Sequence, residues 1–181
     1  MSKYQPIFSF SRGSTVESTI FGGIAVVDKN GKLLASHGNP ETATFLRSSA
    51  KPFQTLSLVE LGGLNKFNIS PVQLAVTCAS HSGTDRHVKV IRSLQNSIGV
   101  QESDLRCGTH PPFHQGTRRS LRDRGIQPTP NHHNCSGKHT GMLGQAILLK
   151  ADLQTYFEPE HPVQKNILKV IAEFCMLKAS E

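Results

Sequence analysis

The 181-residue sequence has no tryptophan, no cysteine pair at C-x-x-C spacing and no apolar run of transmembrane length. Each absence excludes something. The four cysteines, at 78, 107, 135 and 175, are too few and too scattered for a secreted disulfide scaffold, so reduced thiols in a cytoplasmic protein are expected. Without an apolar run, and without a basic-then-apolar start, neither a membrane span nor a signal peptide is expected. Charge is unbalanced, 20 Lys+Arg against 13 Asp+Glu for a net +7, which would suit a polyanion. The densest basic run, Arg118-Arg119-Ser120-Leu121-Arg122-Asp123-Arg124, is short and holds no aromatic residue for base stacking. It reads as a solvated helix face, and no nucleic-acid partner is expected.

What is present describes a folded chain. Hydrophobic residues at 36% and charged residues at 18% lie outside the disordered range, and the length suits one globular domain. Phe21 to Val27 is apolar and rich in β-branched residues, and Lys32 to Ser36 follows across Asp28-Lys29-Asn30-Gly31. Asn-Gly tolerates positive φ at both positions, so a β-hairpin is predicted.

The period then becomes helical. Phe53, Leu56 and Val59 predict a helix over 51–61, stopped by Gly62-Gly63, with Pro52 in its first turn. Ser70-Pro71-Val72-Gln73 has the form of a capping box and predicts a helix from about 71 towards 79. Thr84 and Asp85 open a third, with Val88, Ile91, Leu94 and Ile98 on one face and Gly99 at its end. Residues 107–116 read as a loop, followed by a basic helix over 117–124 and a loop over 125–134. A helix follows Ser136, and a last one runs over 162–177 with a stripe of Val163, Ile167, Val170 and Phe174. That stripe is expected to be left uncovered.

Three polar clusters carry chemistry. In Arg47-Ser48-Ser49-Ala50-Lys51-Pro52, one helical turn puts Ser48 and Lys51 on the same face. A serine hydroxyl attacks well only when a base takes its proton, and a neutral lysine can be that base. The helix start would favour a developing anion. Ser80-His81-Ser82-Gly83 follows the second helix and suits proton transfer or substrate binding, or simply a capping turn. His132-His133-Asn134-Cys135-Ser136-Gly137-Lys138-His139 concentrates three His, a Cys and a Lys. Its Gly-Lys is not a phosphate loop, because the first glycine of that motif would fall on His132. A metal site on Cys135 with His132, His133 or His139, and a polar loop capped at Ser136, both fit.

These clusters, with Ser11-Arg12-Gly13, Val16-Glu17-Ser18 and Cys107-Gly108, resemble the Rhizobium-type inducible L-asparaginase family over nearly the whole chain. The resemblance implies an α+β fold, an antiparallel sheet with packed helices like that of serine β-lactamases and penicillin-binding proteins. It implies hydrolysis of L-asparagine to L-aspartate and ammonia, a homodimer, and a zinc ion near the catalytic serines. Carried over, Ser48 is the nucleophile, Lys51 its general base and Ser80 part of a second Ser/Lys pair. Arg47, His81 and His139 bind substrate, and Cys135 and Lys138 are zinc ligands. A lysine ligates only when neutral, which makes Cys135 the stronger donor.

Two departures accompany the match. Thr19-Ile20 stands where the family has a residue and then histidine after Val-Glu-Ser. Relatives are also longer, with an Asp-Gly-Cys segment and a second catalytic lysine further on, so residues 1–181 read as the N-terminal part of a single asparaginase-like domain. The rival expectation is a catalytically dead remnant, or a subunit that needs a complementing C-terminal half. A penicillin-recognising protein would share Ser-x-x-Lys, but the Ser-Asp-Asn and Lys-Thr-Gly partners are missing.

Overall fold

The computed structural model describes residues 4–180; residues 1–3 and 181 lie outside that description. The architecture is α+β, and the chain divides into two compact units, Met1–Phe45 and Leu46–Glu181.

The first unit is two antiparallel hairpins in separate sheets, β1 (Gln5–Arg12) with β2 (Thr15–Gly22) and β3 (Ile24–Val27) with β4 (Leu33–His37). Gly13, at φ +62, heads the two-residue turn of the first. The predicted hairpin across Asn30-Gly31 is the second, with one difference in its turn. Only Gly31 takes a positive φ, +81, while Asp28 closes a longer loop by accepting the Gly31 N–H at its carbonyl and the Asn30 and Lys32 N–H groups at its carboxylate. The Phe21–Val27 run, read as one strand, is divided at Gly22-Gly23 between two strands of different sheets. The side chains of this unit are largely exposed, Phe21, Val27 and Leu34 among them.

The second unit is helical. A 3-10 turn (Arg47–Ala50) leads into α1 (Lys51–Glu60), followed by α2 (Gly63–Lys66), α3 (Pro71–Thr77), α4 (Asp85–Ile98), α5 (Gln115–Asp123), α6 (Ser136–Leu148) and α7 (Pro162–Cys175). The Ser70/Gln73 capping box forms as expected, and Thr84 caps α4 with His87 in the reciprocal position. Gly99 ends α4 in the left-handed region. On α5 only Thr117 and Leu121 are buried, and Arg118, Arg119, Arg122 and Arg124 face solvent as a basic outer face. The helix starts at Gln115, earlier than expected, because the His114 ring accepts the Thr117 N–H and caps it.

The core gathers around α6, which packs on α1, α3, α4 and α7. Leu58, Ile91, Leu94, Leu143 and Val163 are fully buried, each worth about 1.5–3 kcal/mol of transfer free energy. The stripe on α7 corrects an expectation. Val163, Ile167 and Val170 are buried, because α1 and α6 pack against the helix. Phe174 alone matches the expectation at 59% exposed, its ring against Phe53 at 4.8 Å. No helix among the described residues is long and apolar enough to cross a membrane.

Two glycines let α6 come close to its neighbours. A Cβ on Gly137 would lie 2.2 Å from the Val76 carbonyl oxygen, and one on Gly144 would press on Ile98 and Leu58. Backbone cannot yield as a side-chain tip can, so Gly137→Ala is expected to lower stability by about 1–3 kcal/mol. A urea titration would show this as a lower midpoint with an unchanged slope.

Candidate active site

The helical unit brings the three polar clusters together. Lys51 opens α1 and is 3% exposed, so its amine must find partners inside the protein. Its Nζ lies 2.6 Å from Ser80 Oγ, just after α3, and 3.4 Å from the carbonyl oxygen of Asn134, just before α6. Ser80 Oγ lies in turn 3.1 Å from Ser48 Oγ. Ser48 and Ser80 are exposed, so a buried amine sits beneath two accessible hydroxyls. Ser48 and Lys51, paired by spacing, meet through Ser80.

The approach to Ser48 is conformationally unusual. Arg47 precedes it at φ +50, a region that non-glycine residues seldom occupy and that often marks functional sites. The Arg47 side chain is exposed and forms no hydrogen bond or ion pair among the described residues.

The histidines divide by how they are satisfied. His81 is buried with both nitrogens engaged: Nδ1 accepts the Gly83 N–H at 3.1 Å, and Nε2–H donates to Ser136 Oγ at 2.9 Å. Ser136 Oγ passes the chain on to the Asn131 carbonyl, so it is spent within the loop and does not cap α6. Burial first, then the nearby His87 and Lys51, pushes the His81 pKa down to about 4. His139 accepts a hydrogen bond from the Tyr156 hydroxyl at Nδ1, 2.7 Å away, because the proton of that buried hydroxyl, whose oxygen accepts the Arg106 N–H, needs an acceptor. Its proton is thereby fixed on Nε2. Burial, then Lys138, pushes its pKa down to about 3. Tyr156 is fully buried, and neither spacing nor motif marked it in the sequence.

His110 was likewise unmarked in the sequence, and His133 was named there only as a possible metal ligand. His110 Nε2 accepts the Asn134 N–H at 3.2 Å, and His133 Nδ1 accepts the Cys135 N–H at 3.1 Å.

Cys135 and Lys138 fall beside Cys107. Burial lowers the Lys138 pKa, and Lys51 acts in the same direction, against the two thiols. Burial also raises the Cys107 pKa to about 11, keeping it a thiol. Cys135 Sγ donates to Asn134 Oδ1 at 3.3 Å. A protein zinc site takes three or four protein donors. Among the described residues, no group of three or more His, Cys, Asp or Glu side chains is placed to hold a metal ion.

The His81 geometry predicts a pH response. A histidine near 6.5 when unfolded and near 4 when folded leaves the unfolded chain holding more protons between those values. Its contribution is complete above about pH 6.5 and is lost as pH falls towards 4. Melting temperature is expected to drop over that window, with the His81 ring resonances titrating near pH 4 by NMR.

No curated protein matches the chain. The family model described as L-asparaginase II matches residues 8–181, and so takes in most of the first hairpin, all three polar clusters and the last helix. The chain belongs to the L-asparaginase II family.

Proposed function

We propose that the chain is an amidohydrolase that cleaves the side-chain amide of L-asparagine, with Ser48 as nucleophile and Ser80 passing its proton to Lys51. The observation that carries this reading is the line of contacts at 2.6 and 3.1 Å from a buried amine to two exposed hydroxyls. Hydroxyl hydrogens rotate to suit their partners, so the line can donate in either direction. With neutral Lys51 it runs from Ser48 to Ser80 to Nζ, and Ser48 Oγ attacks the amide carbonyl carbon as its proton moves inward. N–H groups at the start of α1 favour the oxyanion. When the C–N bond breaks, the proton returns from Lys51 to the leaving nitrogen and ammonia departs. Water then attacks the carbonyl carbon of the aspartyl ester, giving its proton to Ser80 and so to Lys51, and that proton returns to Ser48 Oγ as the ester C–O bond breaks.

The surroundings suit an amino-acid substrate. Unpaired Arg47 is a partner for a carboxylate, and His139, protonated on Nε2, offers one N–H donor. His81 has no free nitrogen, which supports a role in holding the loop together instead of contacting substrate.

A second reading, a subunit that acts only when another polypeptide complements it, is favoured by the exposed Phe8, Phe10, Phe21 and Leu34 of the hairpins. A monomer that releases ammonia from asparagine would exclude it.

Ser48→Ala and Ser80→Ala are each expected to reduce ammonia release by about 10⁴-fold, and the double variant to be little worse than either. Ser48→Ala removes an exposed hydroxyl and should shift stability by less than about 0.5 kcal/mol, whereas Ser80→Ala takes the nearest oxygen from the buried Lys51 amine and should cost about 1–3 kcal/mol. Normal turnover in Ser80→Ala would exclude the relay.

A further inference from the structure

The carbonyl that holds the Lys51 amine belongs to a single peptide unit gripped from its other side. The Asn134 oxygen takes two donors, Lys51 Nζ at 3.4 Å and the His81 N–H at 3.2 Å, and both its lone pairs are used. The N–H of that same peptide, on Cys135, donates to His133 Nδ1. The N–H of the preceding peptide, on Asn134, donates to His110 Nε2, whose Nδ1–H is anchored on the Pro111 carbonyl at 2.7 Å. The two imidazoles touch, with ring centres 4.3 Å apart, and Phe113 stacks on His110 at 4.8 Å.

Because a peptide is planar, fixing its N–H fixes the direction of its C=O. Hydrogen bonds at the two ends of one amide also polarise it and strengthen one another. This segment lies outside α6 and lacks the ladder that would otherwise orient its carbonyls. The acceptor on His133 takes the place of that ladder.

We propose that His133 is a positioning residue for Lys51: its Nδ1 holds the Asn134–Cys135 peptide so that the Asn134 carbonyl keeps the amine against Ser80. The inference rests on the serine–lysine reading. It assigns His133 no contact with substrate and no proton transfer. What matters is an acceptor at the Nδ1 position, not a ring that fills space.

Two substitutions separate these. His133→Phe keeps the ring and removes the acceptor; His133→Asn loses the ring and keeps an acceptor near the Nδ1 position. The Phe variant is expected to lower kcat for ammonia release by about ten- to a hundredfold with KM unchanged, as misplaced catalytic groups do. The Asn variant should stay within about threefold of wild type. Labelling by an aryl sulfonyl fluoride, mapped to Ser48 or Ser80 by mass spectrometry, should follow the same order. Activity in His133→Phe equal to or above that in His133→Asn would overturn the inference. A wild-type chain labelled on neither serine would overturn the serine–lysine reading and this inference with it; labelling unchanged in His133→Phe would overturn the inference alone. Amide exchange at Cys135 needs no variant. Protection in the wild type is expected, and free exchange would overturn the hydrogen bond on which the inference stands.

Discussion

A lysine amine buried inside a helical unit is expensive unless oxygen atoms meet it, and the geometry of this site follows from that requirement. Lys51 finds no carboxylate among the described ion pairs; its partners are a serine hydroxyl and a peptide carbonyl. Both are neutral, and both come from segments far away in sequence. Ser80 has to sit at the end of α3 and Asn134 at the entrance to α6, so both helices must meet α1 at one point. The Ser80 hydroxyl is therefore part of what makes the burial of Lys51 tolerable.

That meeting point depends on how closely backbones approach. Gly137 lets the first turn of α6 rest on the carbonyl of Val76, near the end of α3, and Gly144 admits Leu58 of α1 further along. Interiors are packed too densely to absorb an extra methyl group at such a contact. Close packing also explains the neutral histidines. His81 and His139 lie where water is scarce and other cations are near, so each keeps one proton, on a nitrogen chosen by its neighbours. With fixed tautomers, His81 ties Gly83 to Ser136, and His139 is oriented by Tyr156. The site is rigid because its imidazoles are used as hydrogen-bonding struts.

The first unit works under different physics. Its hairpins are held by ladder hydrogen bonds and by cross-strand pairs such as Ser9 with Thr19, at 3.0 Å. Apolar residues on both faces of these strands stay exposed, whereas the helical unit buries a contiguous core of its own. Ion pairs add little to either unit, since those present, such as Arg12 with Glu17, are largely solvated.

Local interactions were legible in the sequence. The Ser70/Gln73 box, the Thr84 cap, the Gly99 stop and the turn before Gly31 each lie within a few residues, where steric and capping rules operate directly. The three polar clusters were also visible, since residue type alone announces what chemistry a side chain offers. Their arrangement was not. Spacing paired Ser48 with Lys51, but the amine turns to a hydroxyl 29 residues away and a carbonyl 83 residues away. The covered stripe on α7, the buried Tyr156 and the imidazoles that grip Asn134 and Cys135 likewise depend on contacts between distant segments. The sequence by itself determined which helices start where and which groups could react; only the packing of α1, α3 and α6 decided which hydroxyl meets the amine, because burial is a property of the assembled core.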